Sequence, residues 1–479
     1  MEQKKNDAIT PREVDMGKWY SEICLKAELM SYSKVKGFIV YRPYGYAIWE
    51  NMQKYLDADF KKTGHQNVYM PMLIPQSLIA KEAEHIKGFA PECAVVTRGG
   101  NKDLDEPLYV RPTSETLFCD HFKDILSSYR DLPIKYNQWC SVVRWEKTTR
   151  PFLRGSEFLW QEGHTLHRTE AEAREEALRM LHIYDDFGKN ILAMPFVTGR
   201  KTNREKFAGA EETYSIEALM PDGQALQSGT SHYFGQGFAK HYDISFLDSD
   251  NKLKTPYQTS WGVSTRLIGS IIMEHGDDNG LVLPPFVAPI QVVIIPVRPA
   301  DDPKIMESCR LIEKKLTAKG IRVKVDDSDK TPGWKYAQYE MKGVPLRIDI
   351  GPKDIAKGTV MTTRRFDGLK AFLANDDSLI QKVVDEMDVI TKGMYNKALD
   401  YLMSHITEVH SYEELADVIN NGRGYAKMMW CGDEECEIAI KEKLNATSRC
   451  MPFDQQQFMD TCPICGKKAK YVVYFARAY

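Results

Sequence analysis

The chain has 479 residues, of which 43% are hydrophobic and 27% are charged, and its formal net charge is −3. This composition is typical of globular proteins, and the length predicts about three domains of roughly 100–200 residues each. No run approaches the roughly 18 apolar residues of a membrane span, and the first residues, MEQKKNDAIT, lack the apolar region of a secretory signal. The sequence therefore predicts a cytoplasmic protein with no membrane partner. The near-neutral charge excludes unspecific attraction of the whole molecule to nucleic acid, so RNA would be bound through local patches.

The first predicted helix follows Pro43 and runs to about Thr63, with apolar side chains on one side and Gly64 as its C-terminal cap. The segment VYMPML, residues 68–73, comes next and has the composition of a strand. Further along, the pair Thr169 and Glu172 forms a capping box, which predicts the start of a second long amphipathic helix.

Between and after these helices the pattern predicts strands joined by short turns. The segments 134–146 (IKYNQWCSVVRWE) and 157–168 (EFLWQEGHTLHR) alternate, and 213–234 forms a hairpin around the turn Pro221-Asp222-Gly223. Consecutive strands with short turns indicate an antiparallel sheet flanked by helices. The first domain, residues 1–287, is accordingly predicted to be an α+β domain.

The proline-rich segment LPPFVAPI, residues 283–290, marks a linker, after which strands and helices alternate. This pattern predicts a small α/β domain with a largely parallel sheet over residues 288–395. From residue 396 the chain becomes helical and then rich in cysteine, which predicts a small α+β module over residues 396–479.

Four cysteines of this last module have the spacing of a metal site. Cys431 and Cys436 form one pair and Cys462 and Cys465 another, about 30 residues apart, as in structural four-thiolate zinc sites. Cys450 lies between the pairs and is an alternative ligand. The other cysteines fall in apolar patterns and are predicted to be buried thiols: Cys24, Cys93, Cys119, Cys140 and Cys309.

The segment from Arg144 to His164, RWEKTTRPFLRGSEFLWQEGH, concentrates the polar chemistry. Arg144 and Glu146, two apart on a predicted strand, point to one face, and the returning strand presents Phe158, Trp160, Glu162 and His164 on one face. A fixed guanidinium, a carboxylate and an aromatic plate suit a nucleotide phosphate and its base. The alternative is an amphipathic hairpin whose polar face is merely solvated.

Three segments resemble the motifs of class II aminoacyl-tRNA synthetases. YMPML around Pro71 resembles motif 1, the fragment from Arg144 resembles motif 2, and WGVSTRLIGSIIMEHGDDNGLVLPP, with Arg266, resembles motif 3. RPTSE at 111–115, GTSH at 229–232 and the C-terminal YFARAY resemble the prolyl-tRNA synthetases, in their archaeal and eukaryotic-like form with a C-terminal module. The large insertion that many bacterial members use for editing has no counterpart between Gly163 and Ala225.

The resemblance implies the activation of L-proline with ATP and Mg²⁺ to prolyl-adenylate and pyrophosphate, followed by transfer to the 3′ end of tRNA(Pro), by a homodimer with a structural Zn²⁺. It implies that Arg144 and Arg266 are catalytic. The residues implied in ATP binding are Arg144, Glu146, Arg154, Phe158, Gln227, Thr230 and Arg266. Those implied in proline binding are Thr113, Glu115, Arg144, Trp160, Glu162, His232 and Ser264.

Some of these residues have structural alternatives. Thr113 and Glu115 open an amphipathic run and fit a helix N-cap, although a cap needs only one of them. His232 fits a satisfied core histidine, and His164 and His167 are interpreted as structural.

In the α/β domain the candidate readers of the anticodon are Glu340, Arg347, Lys353 and Asp354. The two guanines of proline anticodons offer N–H donors to carboxylates and an O6 acceptor to arginine or lysine. Ordinary surface charge is the alternative.

Two other functions remain open at this stage. One is a synthetase-like RNA-binding or regulatory protein without aminoacylation, although such proteins lose catalytic arginines that are present here. The other is a sister class II enzyme for threonine, glycine or histidine. The threonine enzyme is expected to hold zinc in its active site, whereas the paired cysteines here lie in the last module.

Overall fold

The computed structural model describes residues 9–80 and 93–479. Its α-helices are α1 Met16–Lys26, α2 Pro43–Lys62, α3 Gln76–Ile79, α4 Glu115–Ile125, α5 Glu170–Phe187, α6 Gly237–His241, α7 Arg266–His275, α8 Lys304–Ala318, α9 Pro332–Met341, α10 Pro352–Lys357, α11 Leu379–Ser404, α12 Tyr412–Asn420 and α13 Glu434–Leu444. Within the same residues, no helix combines the length and the apolar character needed to cross a membrane.

The strands build one large sheet, one sheet of five strands and three small ones. They are β1 Met30–Tyr32, β2 Ile39–Tyr41, β3 Gln66–Asn67, β4 Leu73–Pro75, β5 Val95–Gly99, β6 Lys102–Val110, β7 Ile134–Val143, β8 Glu157–His167, β9 Val197–Arg200, β10 Glu212–Leu219, β11 Ala225–Gly235, β12 Phe246–Leu247, β13 Leu253–Lys254, β14 Tyr257–Ser264, β15 Val292–Pro296, β16 Val323–Val325, β17 Leu346–Ile350, β18 Thr359–Arg364, β19 Lys370–Ala374, β20 Ile406–Val409, β21 Tyr425–Trp430, β22 Thr447–Pro452 and β23 Tyr471–Ala476.

The large sheet has eleven strands in the order β20-β21-β23-β22-β9-β10-β11-β14-β8-β7-β3. Its central strands, from β9 to β7, pair antiparallel, which confirms the antiparallel sheet predicted for the first domain. Helix α5 covers one face, where Ala177, Met180, Leu181 and Tyr184 pack into the main hydrophobic core. The predicted capping box is present, because Thr169 and Glu172 exchange side-chain and backbone hydrogen bonds at the start of α5.

Close packing of the central strands depends on one glycine. Gly163 on β8 pairs with Trp261 on β14, and a Cβ at position 163 would lie 2.1 Å from the indole ring. The absent side chain lets the indole fill the space between strand and core, so the opposite face of the sheet stays open for polar side chains.

Two predicted strands differ in the structure. The segment 68–73 is largely irregular, since Pro71 cannot donate a ladder hydrogen bond, and the carbonyl of Met70 accepts instead from the guanidinium of Arg111. The strand predicted over 134–146 ends at Val143, because the amide of Glu146 turns back to the carbonyl of Arg144 at 2.8 Å.

The second sheet has the order β16-β15-β17-β18-β19, with α8, α9 and α11 among its helices. The prediction of a largely parallel sheet is wrong in part, because β17–β18 and β18–β19 pair antiparallel while β15 pairs parallel with β16 and β17. Only eight residues separate β17 from β18. A parallel crossover needs about a dozen or more, so the short link enforces the antiparallel return.

The C-terminal strands extend the large sheet rather than forming a separate one. Strand β22 pairs with β9, with Met451 opposite Arg200, so β20 to β23 continue the sheet of the first domain. The boundary predicted at residues 395 and 396 falls inside α11, which therefore runs without interruption from the five-stranded sheet to the last module.

Candidate functional site

A cleft of about 270 Å³ opens on the face of the central strands opposite α5. Its walls come from β8, β11 and β14, with contributions from the start of α4 and of α7. Of the residues predicted to bind ATP or proline, these line it: Thr113, Glu115, Arg144, Phe158, Trp160, Glu162, Gln227, Thr230, His232, Ser264 and Arg266.

Strand β8 carries its polar and aromatic side chains as the alternation predicts. Phe158, Trp160, Glu162 and His164 all line the cleft, while Leu166, further along, is buried in a core cluster. Because alternate residues of a strand point to the same side, the aromatic, carboxylate and imidazole side chains of β8 share one surface.

Arg144 lies just beyond the end of β7, where its amide still pairs with the carbonyl of Ser156 at 2.8 Å. Its Nε donates to the carbonyl of Pro112 at 3.0 Å, and its guanidinium lies 5.5 Å from the ring of Phe158 and 5.3 Å from that of Trp160. These contacts fix a positive charge between two aromatic rings, an arrangement suited to a planar, anionic ligand.

Helix α4 begins at Glu115, and its N-cap residue is Ser114, whose side chain makes no capping hydrogen bond. The hydroxyl of Thr113 instead contacts the carboxylate of Glu115. The N-cap alternative for Thr113 is therefore wrong, and both side chains are turned toward the cleft, where they offer a hydroxyl and a carboxylate to an amine.

Glu162 is almost fully buried, and both of its carboxylate oxygens have partners. The amide of Ser114 donates to Oε2 at 3.2 Å, and Nε2 of His164 lies 3.1 Å from the same oxygen. Oε1 accepts from Nε2 of Gln138 at 2.9 Å and from Sγ of Cys140 at 3.7 Å. Burial alone would raise the pKa of Glu162, but these partners, above all His164, lower it below its usual value. The carboxylate is thus held ionised inside the cleft.

His164, interpreted from the sequence as structural, lines the cleft and stacks on Phe118 with ring centroids 4.0 Å apart. Its ligand atoms lie within 4.8 Å of those of Glu115 and Glu162. The alternation of β8 was the signal that could have assigned it to the site. His167, by contrast, is buried beside Thr165 as expected of a structural histidine.

His232 lines the cleft from β11. Its Nδ1 lies 2.9 Å from Oγ1 of Thr213, and its ring lies 4.7 Å from that of Phe207. Thr213, Phe207 and Glu205 also line the cleft and were missed from the sequence. Phe207 and Glu205 precede β10 in a segment without a recognisable pattern, whereas Thr213 lies on β10, in the predicted hairpin.

Arg266 begins α7 and is held by carbonyls on two sides. Its Nε donates to Leu153 at 3.1 Å and its Nη1 to Gln227 at 3.1 Å. Burial lowers its pKa to about 10, and the charges of Arg144 and Arg154 act in the same direction. The cleft therefore contains two guanidinium groups, those of Arg144 and Arg266, beside the carboxylates of Glu115, Glu162 and Glu205.

Glu146 and Arg154, two described residues of the predicted ATP set, do not line this cleft. Arg154 is exposed and lines a neighbouring cavity of about 380 Å³, and its backbone pairs with Arg150 across the turn that follows β7. The C-terminal residue reaches the same turn, because the guanidinium of Arg150 lies 5.9 Å from the ring of Tyr479.

A third cavity, of about 250 Å³, is lined mainly by the second domain, with Asp277 and Asn279 of the first domain, and includes two of the predicted anticodon readers, Glu340 and Arg347. The guanidinium of Arg347 stacks 3.8 Å from the centre of the Tyr336 ring and pairs with Asp349 at 3.1 Å. Glu340 lies 3.8 Å from the same arginine.

The other two predicted readers, Lys353 and Asp354, lie outside that cavity on α10, directly after β17. Lys353 is exposed. Asp354 accepts from the amide of Gly351 at 2.9 Å and so caps its own helix, which gives it a structural role of its own.

The four cysteines of the last module converge. Sγ of Cys431 lies 3.7 Å from that of Cys436 and 3.6 Å from that of Cys465, and Cys462 lies 4.0 Å from Cys436. With Zn–S bonds of about 2.3 Å, a tetrahedral site separates its sulfurs by about 3.8 Å, so the four thiols fit a zinc ion.

Cys450 is not part of this group. It is fully buried, and burial raises its pKa to about 12. Among the cysteines predicted to be buried, Cys24, Cys119 and Cys309 are, whereas Cys93 and Cys140 are only partly so.

Comparison with family models accounts for most of the chain. Residues 96–275 match the tRNA synthetase class II core domain of the G, H, P, S and T enzymes. Residues 291–386 match an anticodon binding domain, and residues 412–479 match the prolyl-tRNA synthetase C-terminal domain.

Curated relatives match over their whole length. A proline–tRNA ligase of Ruminiclostridium cellulolyticum is 56% identical, with 100% of this chain and 99% of that protein covered. The same name is given to relatives in Lachnoclostridium phytofermentans, 55% identical over 100% and 99%, and in Clostridium novyi, 53% identical over 100% of both chains.

Proposed function

The chain belongs to the proline–tRNA ligase family, and from that premise we propose that the cleft on the central sheet is the place where proline and ATP react. The observation that carries the proposal is the convergence of Arg144, Arg266 and Glu162 with an aromatic plate in one cleft. The activity is the joining of proline and ATP to prolyl-adenylate, followed by transfer of proline to its tRNA. We propose a cytoplasmic location, where ribosomes use the charged tRNA.

The first step brings the carboxylate of proline against the α-phosphate of ATP. Both groups are anions, so the barrier falls when fixed positive charge neutralises and aligns them. We assign this to Arg144, because its guanidinium is fixed between Phe158 and Trp160 at the centre of the cleft. No protein nucleophile is needed, since the substrate supplies the attacking oxygen.

The base of ATP is assigned to the space between Phe158 and Arg266, where stacking and cation–π contact stabilise a purine. Gln227 and Thr230 are assigned to the ribose and phosphates on the same wall. The roles of Glu146 for the adenine amino group and of Arg154 for the outer phosphates rest on the resemblance to motif 2.

Mg²⁺ is expected to accompany ATP, as in class II synthetases generally. It binds through few protein ligands, and Gln227 is the candidate among the lining residues. When bound, the ion neutralises the phosphates. The protein's own part is to hold the two reacting groups in line.

Proline is assigned to the inner end of the cleft, where carboxylates can contact its protonated amine. Thr113 and Glu115 are in mutual contact there, and Glu162 is kept ionised, so two N–H donors and one positive charge can be matched. Trp160, His232 and Ser264 are assigned to the wall around the ring of the substrate.

Competing functions are less well supported. A regulatory protein without aminoacylation would not need the catalytic set that lines the cleft. A sister enzyme is disfavoured because residues 412–479 match a C-terminal domain described for prolyl-tRNA synthetases.

The decisive experiment is exchange of pyrophosphate into ATP with each standard amino acid in turn, followed by charging of tRNA transcripts. We expect proline alone to support rapid exchange and tRNA(Pro) alone to be charged efficiently. Rapid exchange with threonine, glycine or histidine, or charging without any dependence on proline, contradicts the proposal.

We propose that residues 288–395 form the unit that reads the anticodon. Residues 1–287 form the catalytic unit, and residues 396–479 form the unit that binds zinc. Support comes from the cavity that contains Glu340 and Arg347, in which the guanidinium of Arg347 lies over the ring of Tyr336 and the carboxylate of Glu340 lies 3.8 Å from that guanidinium. Such a surface suits unstacked bases. Lys353 and Asp354, outside the cavity, are assigned to its rim.

We propose that Cys431, Cys436, Cys462 and Cys465 hold one structural Zn²⁺. Its support is the match between their sulfur separations and a tetrahedral thiolate site. Metal analysis of protein purified without chelators should find about one zinc per chain. Cys462→Ser should lose it, whereas Cys450→Ser should retain it; equal loss in both variants contradicts the ligand set.

A homodimer is proposed on the surface that follows α2. Three apolar side chains are exposed there: Tyr69 by 66%, Met72 by 47% and Leu73 by 36%. We expect Met72→Glu with Leu73→Glu to shift the mass in sedimentation from two chains to one. Phe372→Glu, at an exposed position on the second domain, is the control and should leave the mass unchanged. A wild-type monomer refutes the proposal.

A further inference from the structure

A charged cluster without solvent contact joins the last module to the sheet beneath the cleft. It consists of Lys201 after β9, Glu217 on β10 and Arg449 on β22, with side chains 2%, 0% and 7% exposed. Nζ of Lys201 donates to one oxygen of Glu217 at 2.6 Å. Arg449 donates to the other oxygen from Nε at 3.1 Å and from Nη2 at 2.9 Å.

The carboxylate of Glu217 is held ionised between two cations. Burial alone would raise the pKa of Glu217, but Lys201 and Arg449 lower it below its usual value. Burial lowers the pKa of Lys201 in turn, and Glu217 opposes that shift. Each member therefore depends on the others, and removing Arg449 leaves the carboxylate with one partner for two oxygens.

The cluster and the cleft lie on neighbouring strands, because Glu217 is on β10 and the cleft is lined by β11. Glu217 is paired with Gln227 on β11, and a β-bulge at this point leaves Ser228 without a partner across the ladder. The carbonyl of Gln227 accepts the hydrogen bond from Nη1 of Arg266. A β-bulge changes the direction of the strand that contains it. The position of Glu217 on the neighbouring strand β10 therefore sets the direction of the Gln227 carbonyl on β11.

Electrostatics connects the same residues. Burial and the charges of Arg144 and Arg154 lower the pKa of Arg266. Within the cluster, the charge of Glu217 raises that pKa and the charge of Arg449 lowers it. Arg266 therefore lies in the field of the cluster as well as on the carbonyl that β11 presents.

We propose that Arg449 of the C-terminal module is a positioning residue for Arg266: by holding Glu217 beside the bulge in β11, it fixes the carbonyl of Gln227 and with it the guanidinium that receives ATP. The inference rests on the proposed role of Arg266 in ATP binding. It makes the C-terminal module part of the support of the nucleotide site rather than an appendage to it.

The same interface supplies a matched control. Thr202, next to Lys201, donates to Glu437 of the last module at 2.8 Å and lies 3.0 Å from Ser448. This contact is also buried and also fastens the module, but it includes neither Glu217 nor β11. A role of Arg449 in docking alone would give the variants at 202 and 449 the same consequences.

The experiment compares Arg449→Met, Arg449→Lys and Thr202→Val in proline-dependent pyrophosphate exchange, with zinc content measured to establish that the module is intact. We expect the KM for ATP to rise about tenfold in Arg449→Met, with the KM for proline within about twofold of the wild type. Arg449→Lys keeps the charge and should recover part of the loss. Thr202→Val should leave both KM values unchanged.

A double variant separates action through Arg266 from a general effect. If Arg449 acts through Arg266, adding Arg449→Met to Arg266→Ala should not raise the KM for ATP further. Additive effects, an unchanged KM for ATP in Arg449→Met, or equal rises for ATP and proline overturn the inference. If Arg449→Met fails to fold, Arg449→Lys and Glu217→Gln replace it in the test. Both must then show a rise in the KM for ATP without a matching rise in the KM for proline.

Failure of the inference is distinct from failure of the proposed function. Arg266→Ala with normal ATP kinetics refutes the assignment of the nucleotide site itself. Impaired Arg266→Ala beside normal Arg449→Met refutes only the positioning role.

Discussion

The cleft on the central sheet and the cavity that contains Arg347 are of similar size, about 270 and 250 Å³, and each places an arginine against an aromatic ring. Their charge balance differs. In the cleft, burial lowers the pKa of Arg266 to about 10, and the charges of Arg144 and Arg154 act in the same direction. In the cavity, Arg347 is paired with Asp349 and lies 3.8 Å from Glu340.

The difference follows from what each site is proposed to receive. ATP and the carboxylate of proline bring negative charge, so the guanidinium groups of Arg144 and Arg266, which line the cleft, stabilise them when they bind. A base is neutral and brings donors and acceptors, so an arginine already paired with carboxylates presents both kinds of partner without excess charge. Four predictions test this contrast.

The largest effect is expected from Arg144→Ala. Loss of charge pairing in the transition state should lower proline-dependent pyrophosphate exchange by at least about a hundredfold, because such interactions are worth several kcal/mol. Arg98→Ala, which removes an arginine that is 64% exposed, is the control and should keep normal exchange. A folded Arg144→Ala enzyme with near-normal exchange contradicts the role of the cleft.

Charge reversal in the cavity should weaken the charging of tRNA(Pro) and leave the activation of proline unchanged. Arg347→Glu is expected to weaken charging of tRNA(Pro) about tenfold to a hundredfold, since a good base contact is worth about 1–3 kcal/mol. Pyrophosphate exchange should stay near normal because no tRNA takes part. Lys370→Glu makes the same change of charge at an exposed position of β19 and should spare both reactions. A parallel loss of both activities in Arg347→Glu would mean that the residue is structural.

Selection by size in the cleft should be weaker than selection by charge. A smaller substrate loses only about 1–3 kcal/mol of apolar contact per missing methylene, so alanine and cysteine should support measurable exchange. The segment between β8 and β14 consists of α5, strands of the large sheet, the short helix α6, the two-stranded sheet β12-β13 and their connections. Alanyl-tRNA should therefore persist in the presence of the pure enzyme. Its rapid hydrolysis would reveal an editing site on this chain.

The smallest expected effect is on the stability of the protein in acid. Its sign is opposite for Glu162 in the cleft and for Asp349 beside Arg347. The pKa of Glu162 is below its usual value, so its stabilising contribution is complete above the unfolded pKa of about 4.3 and is lost as the pH falls through the folded value. Burial raises the pKa of Asp349, so its cost is present at neutral pH and disappears in acid.

Glu162→Gln should therefore make the urea midpoint less sensitive to a fall in pH from about 6 to about 3, and Asp349→Asn should make it more sensitive. Comparison of each variant with the wild type at both pH values measures the sign. The same sign in both variants would remove the contrast in charge balance between the sites.

Much of the cleft was predictable because its pieces are local. The alternation of β8 put Phe158, Trp160 and Glu162 on one face, and the same alternation contained His164, which was assigned to structure only because a histidine is so often buried for packing. Glu146 and Arg154 were harder, since a loop has no periodicity from which to derive the direction of a side chain.

The sequence by itself determined the capping box of α5, the hairpin around Asp222 and the pairing of the four cysteines, because each depends on residues a few positions apart. Only the tertiary structure decided that β22 extends the catalytic sheet and that Arg449 reaches Glu217, 232 positions away. No local pattern encodes such a contact, because it exists only once the last module has packed against β9 and excluded water from both charges.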